Sequence, residues 1–173
     1  ERVWLITEWF KDLPHHREFE SALVFNGKAW PYNGRLTFNQ GDSVHFRVIN
    51  AAAIEHPLHL HGFYFRVTRH GRYGTDSVVP ARLQPLQNMR WVPIGAPMSL
   101  SFVPTTPGNW TFHCHFAGHI NELASLHGSP DAHMVTQAGS GSATPAHDAP
   151  GGHPMGGLVI GMHIKPSAAY QRP

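Results

Sequence analysis

Seven residues of the types that bind transition metals lie in two short segments of the chain. The first segment reads HPLHLH and contains His56, His59 and His61. Side chains two residues apart on a β-strand point to the same face, so His59 and His61 are expected to point together. His56 precedes His59 by three residues and is expected to point elsewhere. One such pair is more often solvated than metal-bound, but three histidines so close together favour a metal site.

The second segment places a thiol between two imidazoles, in the triplet HCH, and is followed by His119. On a strand, His113 and His115 would point one way and Cys114 the other, so that the thiolate and the histidines would serve different metals. A thiolate, two imidazoles and a weak thioether form the ligand set of blue-copper electron-transfer sites. Cys114 alone could be a buried, inert cysteine, and zinc accepts the same atoms. A closed zinc site would leave the paired histidines unused, so the pattern favours copper.

The elements that must position these side chains are β-strands. Short runs of alternating apolar residues are separated by Gly, Pro and Asn, and helix signals are nearly absent. Seven or eight such strands with long connections predict an all-β fold, a Greek-key β-sandwich, rather than an α/β fold. The predicted strands are residues 3–7, 23–25, 35–38, 43–49, 58–67, 98–103, 109–113 and 158–164.

Composition limits the classes of function. The chain has 173 residues with 41% hydrophobic content, so we expect one domain with one core. Charged residues make up 14%, the net charge is +2, and the basic residues are scattered, which argues against a nucleic-acid partner. No apolar stretch approaches the ~18 residues needed to span a bilayer. Cys114 is the single cysteine, so an intrachain disulfide is excluded.

Three segments resemble a known family. HPLHLHGFYF and PGNWTFHCHFAGH resemble the two carboxy-terminal copper motifs of the multicopper oxidases, a family that includes the laccases. FNGKAWPYNGRLTFNQGDSVHFRVIN is similar to the opening strands of their cupredoxin domains. The resemblance implies a cupredoxin domain over residues 19–173, with residues 1–18 as an amino-terminal strand or interdomain segment. Residues 124–157, rich in Ser, Gly, Ala, Pro and His, are interpreted as an inserted flexible loop before the last strand.

The resemblance also implies how the ligands divide between two copper sites. His56, Cys114 and His119 match the ligands of the type 1 copper, which accepts electrons one at a time from a substrate. Electrons would leave through Cys114 and the neighbouring His113 or His115, which are therefore the predicted catalytic residues. The cluster that receives them would reduce dioxygen to water. Its type 2 copper would be bound by His59, and its type 3 pair by His61, His113 and His115.

Two departures from the family pattern lead to further predictions. The usual axial position, five residues after the last type 1 histidine, is Ala124, which cannot reach a copper. Met155 is predicted to be the axial ligand instead, although a methionine can also merely fill a gap. The trinuclear cluster of the family uses twice as many histidines as the matching motifs supply here. An amino-terminal cupredoxin domain or a second chain is expected to bring the others, so an oligomer or a longer precursor is expected.

Together these features predict a copper-dependent oxidoreductase, part of a laccase-like multicopper oxidase. Its small reducing substrate would be a phenol, an amine or a metal ion. The resemblance implies that the protein is periplasmic or extracellular. A single-domain blue-copper electron carrier is the main alternative, although it would have no use for the paired histidines. A copper nitrite reductase is a third possibility, and the HCH triplet argues against it.

Overall fold

The structure is a computed structural model that describes residues 1–12, 19–120 and 156–170. Ala124, Met155 and nearly all of the predicted loop therefore lie outside the described residues. Within the described residues, no helix is long and apolar enough to cross a membrane. Two short 3-10 helices are present there, Ala81–Leu83 and Ala117–His119. The described strands are β1 (Arg2–Asp12), β2 (Phe19–Phe25), β3 (Arg35–Asn39), β4 (Val44–Asn50), β5 (His56–Leu60), β6 (Phe65–His70), β7 (Ser77–Val78), β8 (Met89–Val92), β9 (Pro97–Phe102), β10 (Gly108–Cys114) and β11 (Val159–Lys165).

These strands form two sheets, which confirms the predicted all-β sandwich. The first sheet has six strands in the order β2-β1-β4-β9-β6-β7, and the second has five in the order β3-β11-β10-β5-β8. Strand β1 pairs parallel with β4, and β3 pairs parallel with β11, whereas the other pairs are antiparallel. Neighbours in the sheets are mostly distant in sequence, so the fold depends on crossovers between the sheets rather than on simple hairpins.

The core lies between the two sheets. On β4 the alternate residues Val44, Phe46 and Val48 are buried, because side chains on one face of a strand recur every second residue. The Phe46 ring packs at 5.5 Å from the ring of Phe112 on β10, and at the same distance from Phe102 on β9. Edge-to-face contacts of this kind stabilise aromatic pairs beyond the burial of their area. Phe46 therefore joins the two sheets at the centre of the core.

Strand β1 lies inside the first sheet. It pairs with β2 on one side and with β4 on the other, and its side chains Trp4 and Ile6 belong to the core. The boundary after residue 18 stays a prediction, but the strand that precedes it contributes to the same packed interior.

The single strand predicted over residues 58–67 is wrong. The chain forms β5 in the second sheet and β6 in the first, and it crosses between them at Gly62, whose φ of +75° lies in the left-handed region. The buried positions change from even numbers (Leu58, Leu60) to odd numbers (Phe63, Phe65) across this turn. That change of phase was the available signal for the crossing. The edge strands β7 and β8 were not predicted, because most of their side chains are exposed and show no apolar alternation.

Gly62 offers a test of this crossing. A Cβ at Gly62 would overlap the ring of Trp110, in addition to the strain of a positive φ. Gly34 has nearly the same φ, +76°, but nothing lies within 4 Å of the position that its Cβ would take. We expect Gly34→Ala to lower the free energy of unfolding by about 1–2 kcal/mol. Gly62→Ala should cost about 1–3 kcal/mol more, because of the overlap.

Both variants would be compared with the unchanged chain by denaturant unfolding monitored by circular dichroism. Equal losses of stability in the two variants would show that Trp110 does not hold the turn.

Candidate metal centre

Two neighbouring strands of the second sheet position most of the predicted ligands. Strands β5 and β10 pair antiparallel, with Cys114 opposite Leu58 and His113 opposite His59. Because successive side chains on a strand point to opposite faces, Cys114 and His113 lie on opposite faces of this sheet. The predicted ligands therefore divide into a group on the core side and a group on the outer side.

The first group consists of His56, Cys114 and His119. The Nδ1 atoms of His56 and His119 are 3.2 Å apart, and they lie 3.7 and 3.3 Å from Sγ of Cys114. A point in the plane of these three atoms lies roughly 2.0 Å from each of them, which is close to the usual metal–imidazole bond length and roughly 0.3 Å shorter than the usual metal–thiolate bond. His56 and Cys114 are fully buried. The residues therefore fit one metal ion in a trigonal arrangement.

The segment just before β11 holds two of these ligands in place. The N–H of Cys114 donates to the carbonyl of Leu158, and the N–H of Leu158 donates to the carbonyl of His119. Gly157 approaches that His119 carbonyl so closely that any Cβ would collide with it. Residues 157–158 thus fix the short helix Ala117–His119 against the end of β10.

Burial sets the protonation states of the first group. Burial, together with the neighbouring His119, lowers the pKa of His56 to about 4, and burial also lowers the pKa of His119. Both imidazoles are therefore neutral near pH 7 and can bind a metal without losing a proton. Burial raises the pKa of the Cys114 thiol to about 11, although the backbone N–H of Phe116 partly opposes this. Metal binding to Cys114 would therefore release a proton.

The donor set of the first group suits copper. A soft thiolate with two imidazoles in one plane is typical of blue-copper sites, in which the axial ligand is weak and distant. A structural zinc site would instead close a tetrahedron with a fourth strong ligand. Among the described His, Cys, Asp and Glu side chains, only the three members of this group converge there.

The second group consists of His59, His61 and His113, whose ligand atoms lie within 4.8 Å of one another. The Nε2 atoms of His61 and His113 are 2.8 Å apart. Nδ1 of His113 lies 2.6 Å from the carbonyl oxygen of Cys114, and Nδ1 of His59 lies 2.8 Å from that of Asn88. A carbonyl can only accept, so these Nδ1 atoms carry the protons and Nε2 is left to bind a metal.

Burial also lowers the pKa values of the second group. It lowers the pKa of His113 to about 4, with further lowering by the neighbouring histidines, and it lowers the pKa values of His59 and His61. These rings are therefore neutral near pH 7.

His115 lies beside the second group but not within it. Its ring centre is 5.3 Å from that of His59 and 6.0 Å from that of His113, with which it stacks. Its side chain is exposed, and its ligand atoms do not converge with those of the other three. The structure therefore brings six of the seven predicted histidine and cysteine ligands into two groups and leaves His115 at the edge of one.

Sequence reasoning missed Asn50, a fully buried side chain that supports the first group from a distance. Its amide nitrogen donates to the carbonyls of Ile54, Val92 and Pro93 at 2.8, 3.1 and 3.2 Å, and its Oδ1 accepts the N–H of Ala52 at 3.0 Å. It thereby joins the turn that leads into His56 to the turn that follows β8. The available signal was a polar residue at the fourth position of the apolar series 44, 46, 48.

A pocket of about 570 Å³ opens beside His119. It lies between residues 53–55, 72–73 and 93–94 and the ring of Phe116. Phe116 meets the His119 ring edge to face, with 5.1 Å between ring centres. One ligand of the first group is therefore within reach of a small molecule in this pocket.

Solved structures share this fold. The blue copper oxidase from Nitrosomonas europaea matches with a TM-score of 0.60 and 15% sequence identity, over 94% of this chain and 43% of that chain. The copper nitrite reductase from the same organism matches with a TM-score of 0.59 and 16% identity, over 95% of this chain and 48% of that chain. At such low identities the likeness concerns the fold alone, which is the cupredoxin-like sandwich predicted from the motifs.

Curated relatives are similar in sequence. Oxidoreductase tpcJ of Aspergillus fumigatus is 32% identical over 105 residues, which cover 53% of this chain and 17% of the relative. Laccase-9 of Arabidopsis thaliana is 40% identical over 70 residues, covering 38% of this chain and 12% of the relative. L-ascorbate oxidase of Cucumis sativus is 32% identical over 115 residues, which cover 60% of this chain and 19% of the relative. The chain therefore spans less than a fifth of the length of these relatives.

A family model described as multicopper oxidase matches residues 10–125, which include all seven histidine and cysteine ligands predicted from the motifs. Because that match covers more than half of the residues, the chain belongs to the multicopper oxidase family.

Proposed function

We propose that this chain is the type 1 copper domain of a laccase-like oxidase. His56, Cys114 and His119 would hold the type 1 copper, and the outer histidines would hold part of a trinuclear cluster. Bound copper would supply single-electron acceptance at the first site and reduction of dioxygen to water at the second. The observation that carries the proposal is the placement of two ligand groups on opposite faces of one sheet, joined through adjacent residues of β10.

The link between the groups is short. Cys114 belongs to the first group and its neighbour His113 to the second, so a single peptide bond separates the two residues. The hydrogen bond between Nδ1 of His113 and the carbonyl oxygen of Cys114 adds a second connection, 2.6 Å long. Cys114 and His113 would thus orient both sites rigidly and provide the path for electrons between them, with His115 as the parallel route that the family resemblance implies.

The second group supports the proposal of a partner. Its histidines lie on the outer face of the sandwich, where the neighbouring side chains Met89 and Trp91 are exposed. Exposed apolar side chains beside metal ligands are typical of a surface that another domain covers. The much greater length of the relatives leaves room for such a domain, or a second chain could supply it.

A single-domain electron carrier would use only the first group. Three converging imidazoles on the outer face, two of them oriented by backbone carbonyls, favour the oxidase. We further propose that dioxygen is the electron acceptor and that the location is periplasmic or extracellular. Both rest on the family resemblance.

Copper binding by the first group can be tested by visible absorption spectroscopy. The full chain loaded with Cu²⁺ should show an intense visible absorption band, because that band arises from the copper–thiolate bond of a blue-copper site. Cys114→Ser should abolish the band, and His119→Ala should weaken or shift it. His45→Ala is the matched control, since His45 is an exposed histidine that bonds only to Ser43 among the described residues. An undiminished band in Cys114→Ser would refute the assignment.

The need for a partner can be tested by copper content. We expect the chain alone to hold type 1 copper but to lack the full set of type 2 and type 3 copper, and to consume no dioxygen. Electron spin resonance and metal analysis would measure the loading, and an oxygen electrode the turnover. A complete set of coppers in the isolated chain would contradict the proposal.

Met155 is proposed as the axial ligand. The next residue, Gly156, donates its N–H to the carbonyl of Ile120, so the chain returns beside His119 at this point. Met155→Leu should shift the visible spectrum and raise the type 1 reduction potential, because the weak thioether is lost. Met98→Leu, a change in the core on β9, is the control. If Met155→Leu left both the spectrum and the potential unchanged, another residue would have to be the axial ligand.

A further inference from the structure

We propose that the pocket beside His119 selects aromatic reductants that carry an acidic group, and that Arg72 is the residue responsible for this selectivity. The inference rests on the proposed function, because it names the substrate class of the same site.

The pocket has the size and lining of a small-molecule site. Its volume of about 570 Å³ falls within the usual range for ligand pockets. Large apolar side chains are exposed around it, with Ile54 37%, Ile94 40%, Phe116 40% and Tyr73 76% exposed. Apolar side chains exposed together mark a ligand groove more often than a bare surface. The ring of Phe116, next to His119, offers a face or an edge to an aromatic substrate.

Two walls of the pocket are held by one buried side chain. The amide of Asn50 binds the carbonyl of Ile54 on one wall and the carbonyl of Pro93 on the other. A fully buried amide with this many partners has little freedom to move, so the distance between the two walls is set by the core. The pocket is therefore largely formed before a ligand enters.

The third wall is a constrained turn that carries Arg72. The N–H of Gly71 donates to the carbonyl of Pro97, and the N–H of Arg72 donates to Oγ1 of Thr75. The ring of Tyr73 lies so close to Gly95 that a Cβ there would be 2.8 Å from it. These contacts fix the backbone of Arg72 at the rim of the pocket.

The charges of the lining argue against a metal ion as the substrate. Glu55 is the only carboxylate among the described lining residues, whereas hard cations are usually bound by several carboxylate and carbonyl oxygens. Arg72 contributes a positive charge to the same pocket and would repel a cation. Within the described part of the chain, neither side chain forms a salt bridge.

The charges of Glu55 and Arg72 suit an aromatic substrate that carries a hydrogen-bond donor and, elsewhere on the ring, an acidic group. The Glu55 carboxylate can accept a hydrogen bond from a phenol or an aromatic amine. The Arg72 guanidinium can pair with a carboxylate or sulfonate elsewhere on the ring, since its planar fork matches such groups. The substrate class is therefore an acidic phenol or an acidic aromatic amine, rather than a neutral phenol or a metal ion.

The test is a binding measurement on the full chain freed of copper. The probes are 4-methoxybenzoate and its methyl ester, which share the ring but differ in charge, and titrations followed by ligand NMR would give both Kd values. We expect the anion to bind about two- to fivefold more tightly than the ester, because an exposed ion pair contributes that much. The preference should shrink as salt is added.

Three variants separate Arg72 from general charge effects. Arg72→Gln should abolish or reverse the preference for the anion, because the Glu55 carboxylate that remains repels it. Arg82→Gln, at an exposed arginine outside the pocket lining, should leave the ratio unchanged. Glu55→Gln should tighten binding of the anion, because it removes a repulsive charge.

Equal affinity of the unchanged chain for the two probes would overturn the inference, and so would a preference that survives in Arg72→Gln. The measurement needs no copper and no partner. It can therefore fail while the blue-copper assignment stands, or succeed while that assignment fails.

Discussion

The structure depends on the alternation of side chains along strand β10. Cys114 and His113 are adjacent in sequence, and the geometry of an extended strand sends one into the sandwich and the other out of it. A helix at this position would separate the two side chains by about 100° and could not place them on opposite faces of one layer. The strand therefore allows one short segment to belong to a group on the inner face and a group on the outer face at once.

In the pairing of β10 with β5, inward-facing residues stand opposite inward-facing residues and outward-facing residues opposite outward-facing ones. Cys114 stands opposite Leu58, and His113 stands opposite His59. A slip of one residue would bring a core-facing residue against an outward-facing one and would destroy both groups, so the register is under strong constraint. The apolar side chains that share the inner face of these strands, including Leu58, Leu60 and Phe112, provide that constraint because each is fully buried.

The two faces give the two groups different environments. On the inner face, burial keeps His56 neutral and disfavours the thiolate of Cys114, so these two side chains are uncharged near pH 7. On the outer face, His115 and the neighbouring apolar side chains Met89 and Trp91 are exposed. The pocket at His119 connects the buried site to small molecules without exposing its other ligands. The proposed function assigns the entry of electrons to the group on the inner face and assembly with a partner to the group on the outer face.

The division of the predicted ligands between two sites came from the family resemblance, whereas the sequence itself determined the fold class and the residue types of the two motifs. The fold class and the two motifs follow from local rules: alternation of apolar residues, the short spacing of His59 and His61, and the triplet around Cys114. Tertiary structure decided what depends on contacts between distant residues. His56 and His119 are 63 positions apart and meet only because β5 pairs with β10 and Leu158, just before β11, holds the short helix that ends at His119. The crossing at Gly62, the role of Asn50 and the walls of the pocket were likewise set by packing and hydrogen bonds across the fold, which no local pattern encodes.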